Sequence, residues 1–303
     1  KALQIDGKNV ECISQKARVL YVLNKNNESV RLLRSAYKSE PKNYFVLESF
    51  GRYYGKLKQY KKALQFFEKA RKVSETAAIL NSIGILHSFS KQFKKSLLFY
   101  EKAIKLEPET SMYVSNYVLD LIEIKDYKKA LSILNEKLRN HPNPSFFVHK
   151  SEILKHTRKM FDGLKTVHDG LSLYPKNFEL LHKKSEFDYR MENFTEGLIT
   201  IEKLIDLDSN HTNLARNLFR KTLFLFELKF FKKALSTVDK GLEIERSFPL
   251  ISMKVDILHA LGRDTEAFRL LKTLFKNYKN DTTVLQRKHF FLSRKPKSKS
   301  ELT

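Results

Sequence analysis

Histidine and glutamate side chains in two short stretches are the residues of this sequence best suited to binding a metal ion. His149, Glu152 and His156 occupy one stretch, and His182 and Glu186 occupy the other. Imidazole nitrogens and carboxylate oxygens are common ligands of zinc. However, seven residues of helix rise about 10 Å, too far for one ion held at about 2 Å by both His149 and His156 without unusual rotamers. We therefore expect no metal site and no bound cofactor.

The short motifs that mark common catalytic sites are missing from the sequence. It has no HExxH, no GxSxG, no phosphate-binding P-loop and no GxGxxG. Its single cysteine, Cys12, excludes an internal disulfide and any CxxC zinc or redox motif. We therefore expect that the chain is not an enzyme, and the lack of disulfides favours the cytoplasm while leaving the periplasm open.

The charge of the chain is strongly positive. Fifty-seven Lys and Arg residues against 34 Asp and Glu give a formal net charge of +23. Such a charge attracts nucleic acid, anionic lipid or acidic protein surfaces, but it also simply keeps lysine-rich helices soluble. No run of 18 apolar residues is present, so we expect no insertion into a membrane.

A repeat of 33 to 34 residues dominates the sequence. Stretches beginning at Tyr60, Phe93, Tyr127 and Phe231 each read aromatic, Lys, Lys, small residue, Leu, followed by an amphipathic pattern. The small residue recurs through the chain at Ser29, Ala63, Ser96, Ala130, Gly163, Gly197, Ala234 and Ala267. Four residues after each of these small residues, the sequence has an apolar residue. This pattern predicts pairs of antiparallel helices that approach closely at the small residue and pack along the apolar seam.

The repeat resembles the tetratricopeptide repeat family from about residue 10 to residue 281. The motif is carried best by Leu47, Gly51, Tyr54, Ala63, Phe67 and Ala70. The resemblance implies an all-α, right-handed superhelical solenoid of about eight repeats plus partial ends, with repeats starting near residues 10, 44, 77, 111, 144, 178, 215 and 248. The chain departs from the family in having no Trp. It also has Val118 and Val255 at a usually small position, for which we expect looser packing.

The two ends and one linker stand outside the regular repeat. Residues 1–9 match the end of a preceding repeat, so we expect the chain to be a fragment of a longer array. Residues 282–292 are predicted to form a capping helix, and residues 293–303 a basic disordered tail. The longer step between Gly197 and Ala234 predicts a lengthened loop around residues 208–213.

The resemblance further implies a concave groove lined by the first helix of each repeat. Residues at the groove positions of the early repeats are Arg18, Glu48 and Arg52. Those of the middle repeats are Asn81, Ile85, Phe89, Asn116, Leu119 and Ile122. Those of the later repeats are His149, Lys155, His156, His182, Lys183, Arg190, Arg216 and Arg220. The middle suits an apolar segment whose backbone bonds to the two asparagines, and the later wall suits acidic groups. The clamp with which some members hold the acidic tails of heat-shock chaperones is incomplete in this sequence.

A second basic feature, which we call the lysine ridge, recurs where the second helix of a repeat begins. It consists of Lys61, Lys62, Lys94, Lys95, Lys128, Lys129, Lys232 and Lys233. We expect a non-catalytic protein-interaction scaffold or adaptor that binds a protein or peptide with acidic segments in the groove. Two alternatives remain: a solenoid that binds nucleic acid through phosphate contacts, and the recognition arm of a larger enzyme.

Overall fold

The computed structural model describes residues 9–208 and 212–277, and every regular element within these ranges is an α-helix. In chain order the helices are α1 Val10–Val22, α2 Asn26–Ser39, α3 Tyr44–Lys56, α4 Tyr60–Val73, α5 Ala77–Phe89, α6 Phe93–Leu106, α7 Ser111–Glu123, α8 Tyr127–Asn140, α9 Pro144–His156, α10 Met160–Leu173, α11 Phe178–Arg190, α12 Phe194–Leu207, α13 Leu214–Glu227, α14 Phe231–Ile244, α15 Phe248–Ala260 and α16 Asp264–Asn277. Odd-numbered helices are the first helices of the repeats and even-numbered ones the second helices. The expected all-α repeat solenoid is confirmed.

The chain divides into two compact units, which are described separately below. The first unit is Lys1–His149 and the second is Lys150–Thr303. The division falls within α9.

The small residues of the repeat lie where helices pack most closely. Ser29, Ala63, Ser96 and Ala130 are all buried in the first unit, and the residues four positions later are buried beside them. In the second unit the same holds for Gly163, Gly197, Ala234 and Ala267. Each repeat therefore buries one seam between its two helices, and the small residue lets the backbones approach.

The turn between the two helices of each repeat has one recurring backbone conformation. One residue in each turn has a positive φ, and these residues are Asn24, Lys58, Lys91, Lys125, Arg158, Glu192, Lys229 and Gly262. The amide that follows it donates a hydrogen bond back into the last turn of the first helix, as from Gln59 N to Tyr54 O at 2.9 Å. This left-handed closure satisfies carbonyls at the helix end and reverses the chain.

Prolines and caps mark the other helix boundaries. Four second helices end two residues before a proline, at Pro41, Pro108, Pro142 and Pro175. Proline has no backbone N–H, so it cannot donate the hydrogen bond that a continuing helix needs. The side chains of Asn43 and Asn177 then accept hydrogen bonds from backbone N–H groups at the starts of α3 and α11. These bonds satisfy donors that the helix leaves unpaired.

The two valines for which we expected loose packing are buried. Val118 lies within α7 and Val255 within α15, and neither side chain is accessible to solvent. A β-branched side chain is therefore accommodated without solvent access at these two places.

The linker around residues 208–213 separates α12 from α13. Asp208 is buried, and its Oδ2 accepts a hydrogen bond from the backbone amide of Asn213 at 2.9 Å. The expectations for residues 1–8 and 278–303, including the capping helix and the basic tail, lie outside the described residues. Among the described helices, none combines the length and apolar character needed to cross a membrane.

Candidate functional site

First helices of three successive repeats line an open pocket in the first unit, which we call the α1–α3–α5 pocket. It has a volume of about 350 Å³. Its lining consists of Arg18, Tyr21, Val22, Gly51, Arg52, Gly55, Lys56, Phe67, Ser82, Ile85, Leu86 and Phe89. Four residues expected in the groove (Arg18, Arg52, Ile85 and Phe89) therefore lie around one cavity. Tyr21, Val22 and Gly55 were not expected there.

The wall formed by α5 presents an exposed aromatic ring. Phe89 is 63% exposed, and its ring stacks on Tyr60 with centroids 5.7 Å apart and planes 16° apart. Stacking on Tyr60 restricts the orientations of the Phe89 side chain, so less entropy is lost when a partner covers it. Across the pocket, Val22 of α1 is also largely exposed.

Two asparagines expected to bind a peptide backbone bond to each other instead. Asn116 Nδ2 of α7 donates to Asn81 Oδ1 of α5 at 2.9 Å, and Asn81 is buried. Asn81 thus joins two neighbouring first helices, because a buried amide must find a partner within the protein. On α7, Leu119 is 45% exposed and Ile122 is half-buried, so both present apolar surface.

Lysines of the second unit that were expected to face an acidic partner already contact carboxylates. Lys183 Nζ lies 2.5 Å from Glu152 Oε2 and 3.1 Å from Glu186 Oε2. Lys155 Nζ lies 2.7 Å from one oxygen of each glutamate. Arg190 adds a contact of 3.4 Å to Glu186. These three cations of the later wall are therefore compensated by carboxylates of the same unit, and their preference for an acidic partner stays a prediction.

This ion-pair cluster fixes the ionisation of Glu186. Burial alone would raise the pKa of the carboxyl, but the hydrogen bond from Lys155 and the charge of Lys183 lower the pKa to about 2. The same two lysines hold the pKa of Glu152 below its ordinary value against the effect of burial. Because the glutamates are held by lysines, they are not arranged as metal ligands. Within the described ranges, no group of three His, Cys, Asp or Glu side chains is placed to hold a metal ion.

Arg220 is half-buried and bonds to uncharged oxygens. Its Nη1 donates to Ser185 Oγ at 3.0 Å and to the His182 carbonyl at 3.4 Å, and no described carboxylate lies within ion-pair distance. Burial lowers the pKa of Arg220. A second pocket of about 450 Å³ lies beside it, lined by Ser185, Glu186, Tyr189, Arg190, Phe219, Arg220, Leu223 and Phe224. Arg216 is exposed near the start of α13.

Two of the three groove histidines, His182 and His149, occupy different surroundings. Burial, together with the charges of Arg220 and Arg216, lowers the pKa of His182 to about 4, so its imidazole is neutral at physiological pH. The His182 ring packs against Phe178 with centroids 4.8 Å apart. His149 is half-buried on α9, in the first unit.

The lysine ridge is exposed at the starts of α4, α6, α8 and α14, as the sequence pattern predicts for solvated lysines. One lysine of some pairs lies over an aromatic ring: Lys62 Nζ is 5.5 Å from the Tyr54 centroid and Lys129 Nζ is 5.3 Å from that of Tyr117. Lys129 also contacts Glu101 at 3.2 Å. In these two pairs it is therefore the second lysine that makes the contact, and not Lys61 or Lys128.

Comparison with known proteins agrees with the repeat geometry. The sequence model of a family described as Tetratricopeptide repeat matches residues 46–76 and 77–110. No curated protein matches the chain in sequence.

Several solved structures share the fold at low sequence identity. Yeast Tom70 superposes with a TM-score of 0.63 and 14% identity, covering 88% of this chain and 58% of that one. A tetratricopeptide repeat protein from Parabacteroides merdae ATCC 43184 gives 0.58 and 16%, covering 82% and 98%. The APC/C hetero-tetramer Cut9-Hcn1 gives 0.56 and 13%, covering 84% of this chain and 50% of that one. The chain thus spans about half the length of the matched Cut9-Hcn1 chain.

The helices are paired, each pair buries a small residue, and one turn conformation recurs. Together with the structural neighbours, these features define an α-helical repeat solenoid. The family match identifies residues 46–110 as tetratricopeptide repeats, so the chain contains repeats of this family. Repeats of this family generally mediate protein–protein interactions and are generally non-catalytic.

Proposed function

We propose that this chain is a non-catalytic scaffold that binds a peptide segment of a partner protein on the surface of its first helices. The observation that supports the proposal most directly is the α1–α3–α5 pocket. It combines exposed apolar side chains with cationic groups at its edge, and such mixed pockets are where interface hot spots concentrate.

Exposed apolar residues on neighbouring first helices extend the same surface. Phe89 of α5 and Leu119 of α7 are both accessible, and together with Ile85 and Ile122 they suit the apolar anchors of a bound segment. Burying such side chains against a partner supplies affinity, while charged groups nearby set orientation and association rate.

The experiment is a selection from a random peptide library displayed on phage, with the purified chain as bait. Dissociation constants of the selected peptides are then measured by fluorescence anisotropy for Phe89→Ala and Leu119→Ala. We expect at least one of these changes to weaken binding by about fivefold or more, corresponding to on the order of 1 kcal/mol.

The matched control is Leu98→Ala, which removes a leucine that is 60% exposed on the second helix α6. This change is expected to leave peptide affinity unaltered. Equal loss of affinity in all three variants, or peptides that respond only to changes in the lysine ridge, would exclude the first-helix surface as the binding site.

A further inference from the structure

Gly55 is a helical glycine that helix packing does not require. One turn earlier on α3, a Cβ added to Gly51 would lie 2.7 Å from the Phe67 ring, so the close contact between α3 and α4 explains that glycine. At Gly55 the nearest atom to an added Cβ would be Leu86 Cδ2 at 3.6 Å, which is ordinary van der Waals contact. The backbone at Gly55 has no positive φ that would demand glycine.

Glycine is disfavoured in a helix relative to alanine, so its presence here needs another reason. Gly55 lines the α1–α3–α5 pocket, together with Gly51, Ile85 and Phe89. A side chain at position 55 would project into that cavity. The absence of a side chain at Gly55 therefore keeps the pocket open.

Tyr21 of α1 also lines this pocket. Its hydroxyl oxygen is buried within the protein, and burial raises the pKa of Tyr21. A molecule bound in the pocket therefore meets the other atoms of Tyr21 and does not reach its hydroxyl.

Charges at the edge of the pocket indicate the kind of molecule that it binds. Arg52 contacts Glu48 at 2.6 Å and is compensated. Arg18 is exposed, and Lys56 donates to the Tyr21 carbonyl at 3.4 Å, but neither forms an ion pair with any described residue. Two cations without a carboxylate partner complement an acidic side chain.

We propose that Gly55 determines specificity by admitting a bulky apolar side chain of a partner peptide that carries an acidic residue beside it. The apolar side chain occupies the space above Gly55, between Ile85 and Phe89. The acidic residue contacts Arg18 and Lys56. This inference rests on the proposed peptide-binding function and adds the chemistry of the bound segment.

The test uses the peptides selected from the phage library on the whole wild-type chain. Their dissociation constants are measured for Gly55→Ala and Gly55→Leu, and unfolding temperatures are measured in parallel. Ser132→Leu, which adds a leucine to an exposed position of α8, controls for added apolar surface. Gly55→Ala is expected to fold at least as stably as wild type, because alanine favours the helix and meets no close atom.

We expect selected peptides to share an apolar residue next to an acidic one. Filling the pocket with Gly55→Leu should weaken their binding by about tenfold or more, with a smaller loss for Gly55→Ala and no loss for Ser132→Leu. Replacing the acidic peptide residue by its amide should reduce affinity.

The other outcomes separate this inference from the proposed function. Peptides that lose affinity with Phe89→Ala or Leu119→Ala, but bind Gly55→Leu as tightly as wild type, would overturn the role of Gly55 and leave the peptide-binding function standing. A library from which the wild-type chain selects no peptide would overturn the function and the role of Gly55 together.

Discussion

A Cβ added to Gly84 would lie 2.6 Å from Cε1 of Tyr100. Gly84 belongs to the first helix α5 and Tyr100 to the second helix α6 of the same repeat, and the Tyr100 side chain is buried. The ring cannot move away without disturbing the seam between the helices. The two helices therefore approach as closely as the tyrosine ring allows, and only glycine leaves room for it.

Gly84→Ala is accordingly expected to destabilise the first unit. Overpacking of a filled core costs about 1–3 kcal/mol, which exceeds the gain of up to about 1 kcal/mol from replacing a helical glycine. Urea denaturation followed by circular dichroism measures the change. Gly55→Ala is the matched control and should not lower the free energy of unfolding. A Gly84→Ala protein as stable as Gly55→Ala would show that this close contact does not constrain the fold.

The ion-pair cluster around Glu186 predicts a specific dependence of stability on pH. The folded-state pKa of Glu186 is about 2, against an ordinary value of 4.5. The unfolded chain therefore binds a proton at a higher pH than the folded chain does. The stability contributed by this carboxylate is fully present above the ordinary pKa and is lost as pH falls from 4.5 towards 2.

Urea titrations of wild type and Glu186→Gln at a series of pH values measure this contribution. The difference in free energy of unfolding between the two proteins is expected to be constant above the ordinary pKa and to shrink through the acidic range. Glu245→Gln, at an exposed position outside the cluster, serves as the control and should show no such change. A wild-type advantage over Glu186→Gln that stays constant as the pH falls to the folded-state pKa would contradict the prediction.

The sequence was sufficient to predict the fold but predicted the candidate site less completely. Ala63, Ala130 and their equivalents are separated by almost constant steps and are all buried, so a local pattern was enough to predict paired helices. The buried valines Val118 and Val255 show that the seam accepts a larger residue than the pattern suggests. Side-chain volume alone does not reveal how the neighbouring helix adjusts to it.

The chemistry of the groove was harder to predict because its partners come from different repeats. Asn81 and Asn116 are 35 residues apart in sequence and bond to each other. Lys183 finds Glu152 at a separation of 31 residues. Position within a repeat predicted Asn81, Asn116 and Lys183 as groove residues, but whether each one bonds within the protein or remains accessible depends on the rotamers of the adjacent helix.

Lys184 and Arg220 are both half-buried cations of the second unit. Replacing each of them is expected to affect the free energy of unfolding differently. Lys184 contacts Asp188 at 2.7 Å, and Asp188 is only 2% exposed. Lys184→Met leaves that carboxylate buried without its cation, and the expected loss is about 3–5 kcal/mol of unfolding free energy. Arg220 bonds only to neutral oxygens, so Arg220→Met removes a poorly compensated charge and is expected to leave stability unchanged or raise it.

Thermal and urea unfolding of the two variants distinguish these outcomes. Equal destabilisation by both changes would mean that Arg220 stabilises the second unit as Lys184 does, and that its surroundings compensate its charge after all.

The lysine ridge provides the test of nucleic-acid binding, which is the alternative that the charge of +23 suggests. Lys61, Lys94 and Lys128 are exposed at the starts of α4, α6 and α8. With no base-reading side chains identified on the ridge, the chain is expected to bind phosphates, weakly and independently of sequence. Affinity for a single-stranded RNA of random sequence should fall steeply with salt concentration.

Replacing all three lysines by alanine is expected to reduce the slope of log affinity against log salt by about 0.7 for each phosphate that the chain no longer neutralises. Fluorescence anisotropy with labelled RNA at several salt concentrations measures the slope, and Phe89→Ala is the control that should leave it unchanged. Tight binding of one defined RNA near physiological salt, with a scrambled RNA failing to bind, would favour a nucleic-acid receptor over the peptide scaffold. A salt slope unaffected by the triple substitution would instead place any RNA-binding surface elsewhere on the chain.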